Sequence, residues 1–207
     1  MNNKIQLGNI TAIHGDCMDY MKTLPDKCFD LAIVDPPYGI GISNNPVRQA
    51  HKKKNWDNNI PDNKYFEELF RISKNQIIWG GNYFNLPISK CFIIWDKRQP
   101  EKFSLAMCEY AWCSIQKPAK IFSLSVLEEK NKIHPTQKPI KLYKWILCNY
   151  AKYGYKILDT HGGSFSHAIA CHDLGFELTI IEKDEDYFNA AIKRLKWHQC
   201  QQTIQFV

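Results

Sequence analysis

Short apolar, β-branched or aromatic runs recur along the chain, each ending in polar or Gly/Pro punctuation. They are Thr11–His14, Asp30–Val34, Gln76–Trp79, Cys91–Trp95, Tyr110–Ile115, Tyr155–Leu158 and Glu177–Ile181. Their length and near-continuous apolarity predict strands covered on both faces of a sheet. Between most of them the apolar spacing becomes helical. Phe66, Leu69, Phe70 and Ile72 share one face, as do Leu142, Trp145, Ile146, Cys148 and Asn149, then Tyr187, Ala190, Ala191, Arg194 and Leu195. Strands alternating with helices predict an α/β domain with a mostly parallel sheet. Cys91–Trp95 and Tyr110–Ile115 have no long helix between them, which predicts an antiparallel edge hairpin. Two stretches fit neither rhythm: a polar, basic one from Ser43 to Asn63 and an irregular one from Gln116 to Ile133.

With 207 residues and a formal charge of +6, a single domain over 1–207 is expected. No apolar run approaches the ~20 residues of a membrane helix. Met1–Gly8 lacks the apolar core of a signal peptide, so a cytoplasmic protein is expected. The eight cysteines are scattered without a CxxC pair, which suits reduced thiols packed as small hydrophobes. His161, His167, Cys171 and His172 lack a second ligand pair at zinc spacing, and no metal is expected. Trp79, Trp95, Trp112 and Trp145 lie in apolar runs and are expected in the core.

Two predicted strand ends carry unusual residues, and ligands in open α/β sheets bind at such ends. The first is Asp35-Pro36-Pro37-Tyr38-Gly39. Its prolines remove two backbone donors, Asp35 adds an acceptor, and Tyr38 offers a flat face. That set suits an exocyclic amine on a planar ring, and equally a tight turn capping a strand. The second is Asp159-Thr160-His161-Gly162-Gly163-Ser164, before a helical stretch at His167–Leu174. Paired glycines let backbone approach a ligand at a helix N-terminus. Glu182, at the next strand end and 23 residues beyond Asp159, suits ribose hydroxyls. A plain glycine turn beside a surface Glu fits the same residues.

Together these motifs resemble the S-adenosylmethionine-dependent amino-methyltransferases of DNA, in the class whose catalytic motif precedes the cofactor motif. Asp35-Pro36-Pro37-Tyr38 is similar to the family's catalytic motif, and Asp159–Ser164 to its cofactor loop. Glu182 stands at its ribose acid, Gly15-Asp16-Cys17 at its Gly-Asp element, and His134-Pro135-Thr136-Gln137-Lys138-Pro139 before the helix preceding the cofactor strand. Ile77–Phe84 and Ile94–Lys97 are similar to later strand-end elements of bacterial and phage members.

The resemblance implies a Rossmann-like class I methyltransferase sheet of seven strands. It implies cofactor contacts from Asp16, Cys17, Asp35, His134, Thr136, Lys138, Asp159, Thr160, His161, Gly162, Gly163, Ser164, Glu182 and Lys183. Lys138 would pair with the cofactor's carboxylate. The target base of duplex DNA would be flipped into the pocket of Asp35, Pro36, Pro37 and Tyr38. Asp35 and the Pro36 carbonyl would hold its amine, and Tyr38 would stack on its ring. Asp at the first motif position resembles adenine-N6 more than cytosine-N4 enzymes. The implied setting is a bacterial or phage-infected cell, on the nucleoid, with a homodimer and a restriction partner as candidate associations. Arg48, Lys52, Lys53 and Lys54 lie just beyond the catalytic motif as candidate phosphate contacts, and 43–63 and 116–133 as candidate DNA-contacting loops.

One departure stands out. Phe165 follows Gly163-Ser164 where the family commonly has glycine, and His161 stands where a larger apolar residue is common. If Phe165 blocked the donor site, the chain would be a non-catalytic DNA-binding relative.

Overall fold

A computed structural model describes residues 3–42, 54, 56–103, 105–129 and 132–201. Its strands are β1 (Asn3–Leu7), β2 (Ile10–His14), β3 (Phe29–Val34), β4 (Ser73–Trp79), β5 (Cys91–Asp96), β6 (Cys108–Cys113), β7 (Lys120–Ser123), β8 (Lys156–Asp159) and β9 (Glu177–Glu182). The helices are α1 (Cys17–Met21), α2 (Asn63–Ile72), α3 (Ile140–Tyr150), α4 (Ser166–Leu174) and α5 (Glu185–Gln199). The strands join one sheet in the order β1-β2-β9-β8-β3-β4-β6-β5-β7. The central run β2, β9, β8, β3, β4 is parallel throughout.

Alternation along the strands sends side chains to two cores. Leu31 and Ile33 of β3 and Ile77 and Trp79 of β4 face the layer of α3, α4 and α5. Their neighbours Ala32, Val34 and Ile78 face Leu69 and Ile72 of α2 and Met21 of α1. This period of two, repeated on both faces, is why the central strands read as continuous apolar runs. Trp79, Trp95 and Trp112 are buried as expected, while Trp145 is only partly so.

All eight cysteines are free. Among the described residues no helix is long and apolar enough to cross a membrane, and no cluster of His, Cys, Asp and Glu forms a metal site.

The sheet has nine strands among the described residues, not the seven implied by the resemblance. The two additions are polar edge strands. β1 pairs antiparallel with β2 and keeps most side chains at the surface. β7 is four residues long, pairs parallel with β5, and turns the supposedly irregular 116–133 stretch partly into sheet. The β5–β6 pair is antiparallel as expected. It is not an edge, because β6 inserts between β4 and β5 and β7 extends the sheet beyond β5. α1 is five residues long, too short to show a helical period, and is marked only by its Asp16 N-cap.

Strand order reverses direction between β8 and β3: β9 lies outside β8 on one side and β4 outside β3 on the other. The crevice at the carboxyl ends of those two strands is where such sheets take ligands.

Candidate active site

β3 ends at Val34, and Asp35 begins the turn that follows. The Tyr38 hydroxyl donates to Asp35 Oδ1 at 2.6 Å. The Tyr38 ring lies flat against Tyr83, with centroids 5.0 Å apart and planes 13° apart. Its other contacts include the edge of Phe84 at 6.2 Å. Gly80 makes this seat, since its φ is +70° and a Cβ there would fall 2.2 Å from a Tyr38 ring carbon. The backbone of the turn is held by a residue the sequence did not single out. Asp57, only 1% exposed, accepts the Tyr38 and Gly39 amides on Oδ1 at 2.8 and 3.1 Å and the Ile42 amide on Oδ2 at 2.8 Å.

Beside the turn, at the crevice of β8 and β3, lies a cavity of about 650 Å³, in the range of cofactor sites. It brings together Asp35, Pro37, Asp16, Cys17, His134, Thr136, Lys138, Thr160, His161, Gly162, Gly163, Ser164, Glu182 and Lys183. Pro36, Tyr38 and Asp159 are not among the lining residues. The sequence reading missed Tyr65, Trp56, Asn59–Asp62, Tyr143, Asp184 and Tyr187, which also line it. They come from α2, α3, α5 and the loop before α2, and only the packed chain places them here.

Each wall has a local cause. Asp16 caps α1 by accepting the Met18 amide at 2.8 Å, and its other oxygen meets Lys183 at 2.8 Å. Burial alone would raise Asp16, but Lys183 and the cap hold it below the usual carboxylate range. Cys17 is pushed up to about 12 by burial and by Asp16, so it is a thiol rather than a nucleophile. After β8, Asp159 accepts the His161 amide at 3.0 Å and pairs with His167 Nδ1 at 3.0 Å. It is 2% exposed and shapes the glycine loop from beneath. Burial lowers His161 to about 4, so its imidazole is neutral at physiological pH. Glu182 accepts the Gly163 amide at 2.7 Å and the Asp184 amide at 2.8 Å. Burial raises it above the usual carboxylate range.

Two expectations are corrected here. Phe165 does not obstruct the cavity. Its φ of +58° turns the ring into the core, where it is fully buried and meets Phe188 edge-on at 6.0 Å. Gly162 lies directly over that ring, for a Cβ there would come within 2.5 Å of it. Lys54 is not a free phosphate contact. Its ammonium pairs with Asp184 and, at 3.0 Å, with Asp186, and it lies 4.4 Å from the centre of the Tyr187 ring. Trp56 stands 5.1 Å from His134, which meets Tyr187 edge-on at 4.4 Å. These contacts tie Trp56 to the cavity wall, which Asn59, Ile60, Pro61 and Asp62 also line. Arg48, Lys52 and Lys53 lie outside the described residues.

The partners of Lys138 also differ from expectation. It is 4% exposed and its ammonium lies 2.5 Å from Asp35 Oδ2 and 3.0 Å from Glu109 Oε2.

The donor set fits an adenosyl sulfonium ligand. The lining combines acidic Glu182 and Asp16, the Gly162–Gly163 backbone, the aromatic rings of Trp56, Tyr65 and Tyr187, and the carboxylate of Asp35.

Comparison with known proteins agrees. The family model of the DNA methylases matches residues 78–193, from the last two residues of β4 through Lys193 of α5. The type II methyltransferase M.HinfI of Haemophilus influenzae is 27% identical over a 244-position alignment covering 90% of this chain and 68% of that protein. The DNA adenine methyltransferase YhdJ of Escherichia coli K12 is 22% identical, covering 89% and 82%. Among solved folds, the M1.HpyAVI–SAM complex superposes with a TM-score of 0.63 at 20% identity, covering 89% of this chain and 99% of that one. The cytosine-N4-specific PvuII DNA methyltransferase gives 0.65 at 12% identity, covering 97% and 89%. The chain belongs to the N6/N4 DNA methylase family, whose members are S-adenosylmethionine-dependent amino-methyltransferases.

Proposed function

We propose that this chain methylates the N6 amine of adenine in duplex DNA, with the target base flipped out of the helix. The observation that carries the reading is the meeting of two motifs at one crevice. The Asp35 turn leaves β3 and the glycine loop leaves β8, and both open on the same cavity. S-adenosylmethionine would supply an electrophilic methyl group.

In this reading Asp16, Gly162, Gly163, Ser164 and Glu182 seat the donor, with His134, Thr136 and Lys183 at the margins. Ionised, Glu182 would accept from both ribose hydroxyls. Asp35 accepts a hydrogen bond from the target amine, which turns the nitrogen lone pair toward the donor. The amine's surplus proton leaves to solvent after transfer. Holding two reactants in line is worth up to about 7–11 kcal/mol, so positioning alone supplies much of the acceleration. No enzyme nucleophile is required, in keeping with the elevated Cys17 thiol. The Tyr38 ring is stacked on Tyr83 and its hydroxyl donates to Asp35, so in this reading it steadies the acceptor beside the base.

Asp at the first motif position and the adenine-specific name of YhdJ favour adenine. A second reading, cytosine N4 on the same scaffold, is favoured by the likeness to the PvuII fold. Nucleoside mass spectrometry after incubation with adenine-only and cytosine-only duplexes separates them: N6-methyladenine is expected, and N4-methylcytosine alone would reverse the assignment. Calorimetry with S-adenosylmethionine addresses the non-catalytic alternative, which requires that no binding be detected.

A further inference from the structure

Behind Asp35 the structure holds a line of alternating charges that the methyl-transfer reading does not use. Lys97 Nζ lies 2.7 Å from Glu109 Oε1. Glu109 Oε2 lies 3.0 Å from Lys138 Nζ, and Lys138 Nζ lies 2.5 Å from Asp35 Oδ2. The four residues come from separate stretches: the end of β5, β6, the segment before α3, and the end of β3. The set is neutral as a whole, and Lys138 is its most deeply buried member.

An ammonium has three donors. Lys138 donates to Asp35 and, at 3.3 Å, to the Tyr38 hydroxyl, while Glu109 is an ion-pair partner at 3.0 Å without hydrogen-bond geometry. Its charge is met within the protein by the carboxylates of Asp35 and Glu109. A buried lysine is costly to hold charged unless it is well paired, and pairing with one carboxylate would already neutralise it. The second carboxylate, itself balanced by Lys97, makes Lys138 a fixed cation rather than a proton-exchanging one.

We propose that Lys138, anchored by Glu109 and Lys97, is a positioning residue for Asp35: it fixes the carboxylate's orientation and keeps it an acceptor when the target amine arrives. This rests on the methyl-transfer reading above. A protonated Asp35 would lose acceptor capacity on the oxygen facing the amine.

The groups facing Asp35 are Lys138, Glu109 and Tyr38, with its charge also felt by Tyr143 of α3 and Tyr65 of α2. Asp159 of β8 adds its charge at those two tyrosines. Burial drives Asp35 upward, Lys138 opposes that, and the charge of Glu109 adds to it. Glu109 stays anionic, since Lys138 and Lys97 overcome its burial and hold it near about 2. The two neighbours therefore bias Asp35 in opposite senses.

The test measures methyl transfer to duplex DNA against pH, beside calorimetric binding of S-adenosylmethionine. In Lys138→Met, kcat at neutral pH falls roughly 10- to 100-fold, the scale of a misplaced reacting group, while cofactor Kd stays unchanged. The acid limb of its profile moves to higher pH, and raising the pH restores part of the activity. In Glu109→Gln the acid limb moves to lower pH. Lys138→Arg keeps the wild-type limb. Damage to packing alone does not move two limbs in opposite directions. Profiles that coincide with wild type, or limbs that move the same way, overturn the proposal. So does a Lys138→Met protein with weak cofactor binding and wild-type kcat, which would make Lys138 a cofactor ligand. If Lys138→Met does not fold, the downward shift in Glu109→Gln and its absence in Lys138→Arg decide the matter. A wild-type protein that binds no S-adenosylmethionine and methylates no DNA sinks the methyl-transfer reading itself, and is distinguished before any variant is made.

Discussion

Residues with chemistry at strand ends were readable in the sequence because their meaning is local. Asp35 follows an apolar run and precedes two prolines, and Glu182 ends another such run. Replacing Asp35 with Ala is expected to abolish methyl transfer while leaving cofactor binding nearly intact. Wild-type turnover in that variant would show the turn to be structural. Their partners were not readable, because the contacts span the chain: Lys138 and Asp35 are 103 positions apart, and Asp57 lies in a segment with no periodicity. His161 makes a pH prediction at the same scale. Its imidazole titrates at about 4 in the folded chain against about 6.5 when unfolded. The unfolded state therefore binds the extra proton first as pH falls. The stability contributed by neutral His161 is complete above the unfolded value and is lost as pH drops from there toward the folded one. In urea unfolding, His161→Gln is expected to flatten the acid decline over that window, and an unchanged decline would assign it to other groups.

At the scale of elements, the five central parallel strands were legible and the edges were not. A strand covered on both faces must be apolar throughout, whereas β1 and β7 cover one face at most and read as loop. The Asp16 cap was likewise visible only as part of a motif, because a helix as short as α1 leaves no period to detect. Phe165, at the N-terminus of α4, sets two effects against each other. Its left-handed backbone costs about 1–2 kcal/mol in a residue with a Cβ, which glycine would relieve. Its ring is fully buried, and removing a buried Phe side chain costs about 3–5 kcal/mol. The second effect is larger. Phe165→Gly is therefore expected to destabilise the protein by about 1–4 kcal/mol in chemical denaturation. A stabilised Phe165→Gly would mean that the ring contributes little to the core.

The molecule as a whole carries +6, and the placement of that charge matters more than its sum. Lys54 is occupied by Asp184 and Asp186, so electrostatic contact with DNA falls in this reading to Arg48, Lys52 and Lys53. Changing Lys52 and Lys53 together to Gln is expected to reduce the slope of log K against log salt by roughly 0.9 per lost phosphate contact. An unchanged slope in filter binding would place the contacts elsewhere. The same segment of chain that brings Lys54 to α5 also brings Asp57 to the amides behind the catalytic turn. In the proposed reading this strip is fastened to the donor side at Lys54 and to the base side at Asp57. Coupling between two sites is reciprocal in free energy. If the strip tightens when the donor is seated, DNA must hold the donor more tightly by the same factor as the donor holds DNA. Synergy between the two substrates would then be a property of a loop that touches neither reacting atom.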